Sequence, residues 1–382
     1  MNPLQQQIAR EWQLLLTDAW LRALVSWVPL VLFFILWWIF SAGIPRDIPI
    51  GVVDLDRSDL SRNLVRQYDS HPALSVVRQY NDAAQGAVAM RSAEINALIL
   101  IPSELKTKML KGQAPPVTAF YNSQYLLTGN LVAAGLQAAH GTFGAKIGVG
   151  KALGSGKIGG QALAAAVPVG TQTTALFNIN TNYAHFLVSG LLPAFWQILI
   201  VVVTILALAR ESRSQGLSAW LADHAVLSIS GKLLPYTLIL WLQGIAFLVF
   251  MFVVLRWPMN GSIDIIILSQ LLMVLASQAI GLLLYLLVND PARAMSMAAV
   301  YTAPSFAFMG VTFPATDMTV PAQMWRDMLP VSHYIDVHLF QANHGASINS
   351  ALPHMGALLL FFVAFPLAYK LAIRIQQAEV AP

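Results

Sequence analysis

The feature that most constrains this chain is a set of six apolar stretches, each long enough to cross a lipid bilayer. A helix needs about 20 mostly apolar residues to cross the roughly 30 Å hydrocarbon core. Charged residues make up only 10% of the 382 residues, against about a quarter in an ordinary soluble domain. The sequence therefore predicts an α-helical integral membrane protein with six transmembrane helices, at about 23–42, 184–209, 233–255, 264–288, 294–313 and 352–372.

One segment between the first two spans has a different composition. Residues 43–183 hold 20 of the 40 charged residues, which are 22 Lys and Arg plus 18 Asp and Glu. Short apolar runs alternate there with amphipathic segments, as in strands separated by crossover helices. We expect an α/β domain, in which Ser58 and Ser103 cap two helices and Leu60, Leu64 and Tyr68 line the first. The predicted strands are 48–53, 74–77, 96–101 and 117–121.

A longer helix should follow these strands, from about Gln124 to Ile147. The next residues, 148–160, are rich in glycine, which loses more backbone entropy on ordering than any other residue. We therefore expect a mobile loop there.

The distribution of Lys and Arg near the span ends predicts the orientation, because short cytoplasmic loops carry an excess of these residues. One side has eight and the short loops of the other side have two, Arg256 and Arg326. Both termini are thus expected in the cytoplasm of a bacterial cell and residues 43–183 outside the inner membrane. The eight are Arg10, Arg22, Arg210, Arg213, Lys232, Arg293, Lys370 and Arg374.

Residues 1–22, before the first span at 23–42, should form a cytoplasmic amphipathic helix. The apolar residues that recur there every three or four positions, with polar residues between them, are Leu4, Ile8, Trp12, Leu15 and Ala19. Such a helix either lies on the membrane surface or packs on the helical bundle. Residues 184–382 should then form a five-helix transmembrane region.

Three motifs resemble parts of known active sites, and each is incomplete. Asp54-x-Asp56 has the layout of an aspartyl phosphatase, but no acidic pair for Mg²⁺ follows, so a turn at the strand end is favoured. A calcium loop would need Gly at position 59, which is Asp. Gly150-Lys151 and Gly156-Lys157 lack the earlier Gly and the Ser or Thr of a phosphate-binding loop. We predict no catalytic residue and no ATP site in this chain.

Other ligand classes receive little support from the sequence. The basic residues are scattered, so nucleic acid is excluded as a partner. Four histidines lie near the sixth span, but only Asp336 stands at a ligand spacing from them, and we predict no metal site. No charged residue lies deep in a predicted span, which disfavours ion-driven transport. The histidines are His333, His338, His344 and His354.

The connection after the second span, residues 209–236, reads ARESRSQGLSAWLADHAVLSISGKLLPY. It resembles a loop of type-two ABC exporter permeases. In that family an Arg-Glu pair followed by Gly opens a short helix, and a Gly-Lys-Leu-Leu-Pro-Tyr run begins the next span. Three other stretches are similar to the same family in the same order. They are VVDLDRSDLSRNLV at the start of the insert, LFNINTNYAHFLVSGLLP at 176–193 and GVTFPATDMTVPAQMWRDMLPVSHYID at 310–336.

The resemblance implies a permease subunit with a large external insert, which exports an apolar or amphiphilic substrate such as a drug or a lipid. It also implies a second permease copy or a paralogue, and a separate ATP-binding cassette ATPase that holds ATP and Mg²⁺. The chain itself would then be no enzyme and carry no cofactor. A periplasmic adaptor protein is a further partner that the size of the insert allows.

The resemblance also implies where the ATPase acts. A helix at about 214–226, within the cytoplasmic coupling loop 210–232, would enter a groove of the ATPase. The alternative for its Trp220 and Leu221 is that they anchor a helix at the bilayer surface. The implied coupling residues are Arg210, Glu211, Gly216, Trp220 and Leu221.

Between the last two spans, Pro314, Pro321 and Pro330 predict short broken helices in an external segment, 314–345. In the family this region forms a lid over the exit. Four glutamines inside spans should bond between helices, although Gln197 beside Trp196 is also a candidate substrate contact. The glutamines are Gln197, Gln243, Gln270 and Gln278, and the candidate pathway or lid residues are Trp196, Gln197, Met309, Phe313, Pro314 and Pro330.

Two functions from other classes fit parts of the same pattern. A membrane receptor or scaffold would use the external domain to bind a ligand or an envelope protein. An enzyme would have its active site in that domain, where the incomplete motifs lie.

Overall fold

The computed structural model describes residues 3–113, 115–167, 176–178, 182–221 and 224–380, with side chains up to residue 377. The chain divides into two compact units. One is helical and consists of Met1–Gly43 and Ala175–Pro382, and the other, Ile44–Thr174, contains a small mixed sheet.

Three helices precede the α/β unit, namely α1 (Pro3–Thr17), α2 (Ala19–Val25) and α3 (Trp27–Phe40). The axes of α2 and α3 differ by 42° across Ser26. Pro29 explains the break, because proline has no N–H to donate to the carbonyl of Val25, four residues earlier. That carbonyl instead accepts a hydrogen bond from Nε2 of Gln243.

The α/β unit contains all four predicted strands, as β1 (Ile48–Asp54), β2 (Leu74–Tyr80), β3 (Ala97–Ile101) and β4 (Thr118–Tyr121). Their order in the sheet is β2-β1-β3-β4, with β1 parallel to β2 and β3, and β4 antiparallel to β3. Parallel neighbours require crossover connections, which helices supply here. The helices are α4 (Asp59–Asp69), α5 (Ala83–Arg91), α6 (Leu105–Leu110), α7 (Leu126–Gly154) and α8 (Gly160–Ala166).

One of the two predicted helix caps in this unit is confirmed. The hydroxyl of Ser58 accepts a hydrogen bond from the N–H of Ser61 at the start of α4, whose Leu64 and Tyr68 are buried. The predicted cap at Ser103 is wrong. The residue before α6 is Glu104, which has a left-handed φ of 61° and makes no side-chain capping bond.

The glycine-rich segment 148–160 is not a single loop, so this prediction is wrong for most of its length. Helix α7 continues to Gly154, and α8 begins at Gly160. A Cβ on Gly148 would lie 2.9 Å from the Cβ of Ala166, so glycine lets α8 pack closely against α7. Packing of α8 therefore compensates for the entropy that the glycines lose.

The rest of the helical unit begins with α9 (Tyr183–Ser214), and residues Phe250–Val254 extend α11 as a π-helix. Short 3₁₀ turns occur at Ala315–Asp317 and Phe361–Val363. The further helices are α10 (Leu217–Leu221), α11 (Ala225–Val249), α12 (Ile263–Val288), α13 (Pro291–Thr302), α14 (Ser305–Phe308), α15 (Val320–Asp327), α16 (Pro330–Ala342), α17 (Ile348–Leu360) and α18 (Ala364–Val380).

Four helical stretches in the described residues are long and apolar enough to cross a membrane. The bent pair of α2 and α3 would be a fifth. The predicted window 294–313 is divided between α13 and α14, which Ala303 and Pro304 separate, so the count of six spans stays a prediction. The four stretches are Tyr183–Ser214, Ala225–Val254, Ile263–Val288 and Ile348–Gln377.

The two ends of the helical unit that flank the α/β unit in sequence lie next to each other. The N–H of Tyr183 donates to the carbonyl oxygen of Gly43 at 2.8 Å. Gly43 has a φ of 75°, and the side chain of Asn182 lies against it. The carboxamide oxygen of Asn182 also accepts from the N–H of His185 and so caps α9.

Candidate functional site

The helix predicted at about 214–226 falls in the connection between α9 and α11, where residues 222 and 223 lie outside the described part of the chain. Gly216 follows the end of α9 with a φ of 80°, a left-handed conformation that glycine adopts without steric cost. Helix α10 then spans only Leu217–Leu221. The predicted start at Ser214 is wrong, because Ser214 is the last residue of α9 and the turn at Gly216 separates it from α10.

The apolar side chains of α10 face the chain's own helices. Leu217, Trp220 and Leu221 are 3%, 5% and 1% exposed, and they belong to a core cluster that includes Ala368 and Ala372 of α18. They therefore anchor α10 within the helical unit. Their predicted role as coupling residues stays a prediction, but in this conformation these three side chains are not available to a partner.

A buried cluster of charged residues lies beside this connection, at the point where α1, α9 and α11 meet. Nζ of Lys232 lies 2.6 Å from a carboxylate oxygen of Glu11 and 3.0 Å from one of Glu211. Arg10 lies 2.8 Å from Glu211, and the hydroxyl of Tyr236 donates to Glu11 at 2.8 Å. We call these five residues the closed cluster. Its two cations and two carboxylates balance, as charges that are withdrawn from water must.

Gly231 makes the closed cluster possible. A Cβ at this position would lie 2.5 Å from the Cβ of Gln7, so a larger residue would push α1 away from α11. Gly231 thus lets α1 and α11 approach closely, and the next residue, Lys232, provides the charge that joins them. Pairing of α1 with α11 also decides between the two predicted positions of the N-terminal helix, because α1 packs on the bundle.

Arg210 joins the same helices at a second point. Its guanidinium lies 3.0 Å from the carboxylate of Asp18 and donates to the carbonyl oxygen of Leu14 at 2.9 Å. Asp18 in turn caps α2 by accepting from the N–H groups of Trp20 and Leu21. Of the predicted coupling residues, Arg210 and Glu211 therefore hold α1 and α2 in place.

The sequence contained a signal that Glu11 is buried. The predicted apolar stripe of the N-terminal helix includes Trp12 and leaves Glu11 out. Leu4, Ile8, Glu11 and Leu15 also recur every three or four residues, and this second stripe is the face that packs. Trp12 is 37% exposed, whereas Glu11 is 2% exposed. A carboxylate inside an apolar stripe indicates a buried partner.

The candidate pathway and lid residues are divided between core and surface. Gln197 is fully buried, donates to the hydroxyl of Ser305 at 3.1 Å and accepts from the N–H of Val331 at 2.7 Å. Both ends of its amide thus bond to other helices, so the interhelical interpretation is confirmed. Of the other candidates, Trp196, Met309 and Pro330 are buried, whereas Phe313 and Pro314 are exposed.

The other three glutamines also bond between helices. Gln243 donates to Val25, Gln270 donates to the carbonyl oxygen of Gly244 and to Tyr334, and Gln278 accepts from Thr237. Within the described residues, no group of three or more His, Asp or Glu side chains has a metal-binding arrangement. The predicted broken helices between the last two spans are confirmed by α15 and α16.

The α/β unit shows what the Asp54-x-Asp56 motif does. One oxygen of Asp54 accepts from the N–H groups of Asp56 and Arg57, and the other accepts from the hydroxyl of Ser61 at 2.7 Å. The carboxylate thus closes a turn at the end of β1, as the structural interpretation predicted.

The chain is similar to known proteins over most of its length. Residues 19–369 match the family described as ABC-2 family transporter protein. Two curated relatives, from Escherichia coli K12 and Escherichia coli O157:H7, are each described as "Probable multidrug ABC transporter permease YbhS". Each is 22% identical over 327 residues, which cover 83% of this chain and 82% of the relative.

Proposed function

Since this chain belongs to the ABC-2 family of transporter proteins, as the match over residues 19–369 shows, we propose that it is the permease subunit of an ATP-driven exporter. The observation that carries the proposal is this match together with the closed cluster. Glu211 and Lys232 stand at the two ends of the α9–α11 connection and pair with each other. A force on this connection would therefore reach α1, α9 and α11 at once.

The outward direction rests on the distribution of basic residues. The excess of Lys and Arg at one end of the spans favours cytoplasmic termini in an inner membrane protein. Residues 43–183 would then lie outside the cytoplasm, and the α9–α11 connection would face the ATPase. The proposed substrate is apolar or amphiphilic, in keeping with the multidrug description of the relatives.

ATP and Mg²⁺ would bind to a separate ATP-binding cassette subunit. The exposed side of the connection, at Gln215 and Ala219, offers that subunit a surface, since Trp220 and Leu221 are buried. A second copy of this chain or a paralogue would complete the transporter, and an adaptor protein could bind the α/β unit.

A substitution on the exposed side of α10 tests this proposal. We expect Ala219→Trp to obstruct the surface and to abolish both co-purification of the ATPase and ATP-dependent movement of a lipophilic dye in proteoliposomes. Ala84→Trp is the matched control, because Ala84 is also an exposed helical alanine but belongs to α5 of the α/β unit. Full ATPase binding by Ala219→Trp would refute the docking surface. A wild-type chain that binds no such ATPase would favour a receptor or scaffold.

A further inference from the structure

Helix α16 enters the helical bundle instead of lying across its end. Its last residue, Ala342, accepts a hydrogen bond from the N–H of Asn260, at the end where the ring centres of His185 and Trp257 lie 5.0 Å apart. Its second residue, Val331, bonds to Gln197, which is 14 residues into α9 and thus about 21 Å from that end. The start of α16 therefore lies deep inside the bundle.

The residues just before α16 share this depth. The hydroxyl of Tyr301 donates to the carbonyl oxygen of Met328. Tyr301 follows Pro291 by ten residues, so this contact lies about 15 Å from the opposite end of the bundle. Half of a bilayer core is also about 15 Å, so the backbone at Met328 lies about as deep in the bundle as the middle of a bilayer lies from its surface. Ionisable side chains at this depth usually mark functional sites.

A second group of charged residues occurs there, and we call it the open cluster. It consists of Arg326, Asp327, Asp336 and His354. Asp336 pairs with the guanidinium of Arg326 and lies 3.1 Å from Nδ1 of His354. Asp327 is the surplus carboxylate, because its nearest contact to Arg326 is 3.7 Å and its side chain is 66% exposed.

A cleft of about 600 Å³ adjoins the open cluster, between α12, α13, α15, α16 and α17. This volume is within the roughly 300–1,000 Å³ range of small-molecule sites. Its polar side is lined by Arg326, Asp327, His333 and His354, and its apolar side includes Ile280, Leu360 and Phe361. The aromatic ring of Tyr301 also borders the cleft. A ligand here would meet a carboxylate, aromatic rings and aliphatic side chains.

We propose that this cleft binds a lipophilic cation, with the positive charge beside Asp327 and the apolar groups against Leu360 and Phe361. With histidine counted as neutral, the two carboxylates of the open cluster outnumber its one guanidinium, which is paired with Asp336, so a cation balances the charge of Asp327 and an anion does not. Aromatic rings attract cations at short range, and Tyr301 and Phe361 provide two. That such a cation is also the exported substrate rests on the proposed function. Binding itself does not.

Two ions of nearly equal size and opposite charge provide the test. Equilibrium dialysis of the purified full-length chain in phosphatidylcholine nanodiscs, without any ATPase, would measure binding of tetraphenylphosphonium and tetraphenylborate. We expect saturable binding of tetraphenylphosphonium, at least about tenfold tighter than that of tetraphenylborate. Equal affinities, tighter binding of the borate, or no saturable binding of the phosphonium would each overturn the proposal.

Variants locate the binding within the chain. Asp327→Asn should weaken phosphonium binding by about tenfold, and Leu360→Trp should weaken it by filling the apolar side. Asp317→Asn, which removes an exposed carboxylate outside the cleft, should leave it unchanged. Unaltered affinity in Asp327→Asn would refute the site. Because the assay contains no ATPase, a failure here leaves the proposed export function standing, and a failure of export leaves this binding site standing.

Discussion

The closed and the open cluster place charged residues inside the same helical unit and arrange them differently. Lys232, Glu11 and Glu211 of the closed cluster are 1%, 3% and 0% exposed in their side chains, and every carboxylate has a cation beside it. The open cluster has one well-paired carboxylate, Asp336, and one that is largely exposed, Asp327.

The difference separates two uses of buried charge. A balanced group whose carboxylates are buried holds helices in register, because breaking any pair leaves a buried charge without compensation. An unbalanced group beside a cleft retains a charge that a ligand can neutralise. The closed cluster is thus suited to transmit force between α1, α9 and α11, and the open cluster is suited to binding.

Removal of the central cation should have the largest effect on the closed cluster. We expect Lys232→Met to destabilise the protein by about 3–5 kcal/mol, because Glu11 and Glu211 remain buried with one cation fewer. Thermal unfolding followed by tryptophan fluorescence would measure this, with Lys370→Met on the exposed side of α18 as the control. Adding Glu11→Gln to Lys232→Met should restore part of the loss. Equal melting temperatures for the two lysine variants would contradict the assignment.

A smaller effect should follow from separating α1 from α11. Gly231→Ala places a Cβ 2.5 Å from the Cβ of Gln7, and overpacking of this kind costs about 1–3 kcal/mol. Because α1 would detach more often, trypsin should cleave after Arg10 faster than in the wild type. Gly356→Ala in α17 is the matched control, since an added Cβ there meets nothing within 4 Å. Unchanged cleavage in Gly231→Ala would show that α1 tolerates the displacement.

An effect of similar size at one carboxylate of the open cluster and the smallest effect at the other should distinguish the two. Asp336→Asn should lower the free energy of unfolding by about 1.5–3 kcal/mol, because Asp336 accepts charged hydrogen bonds. Asp327→Asn should change it by less than about 0.5 kcal/mol, as expected for an exposed side chain. Thermal unfolding of both variants, free of added ligand, gives the comparison. Equal losses would mean that Asp327 is structural, and the contrast between the clusters would disappear.

The sequence predicted those parts of the fold that depend on local patterns. Helices α9, α11 and α12 follow from their apolar length, and the four strands follow from short apolar runs between amphipathic segments. A family resemblance identified Gly216 and the residues from Gly231 to Tyr236 as part of a motif. The structure shows the contacts that several of them make.

The parts that were missed depend on contacts between distant residues. Glu11 pairs with Lys232 across 221 positions, so no local pattern joins them. The assignment of Arg326 and Asp336 to an external segment stays a prediction, but no local pattern joins Asp336 to both Arg326 and His354. Helix α7 was ended too early because glycine's entropy was weighed without the packing of α8.

The hydrogen bond between Tyr183 and Gly43 has a consequence for how such a protein evolves. The residues at which the chain leaves the helical unit and re-enters it lie next to each other, and that hydrogen bond joins them. A genetic insertion, deletion or exchange between these two points can change the intervening cassette without requiring the flanking helices to move. The sequence of the α/β cassette can therefore change during evolution while the helices on either side of the junction keep their structure.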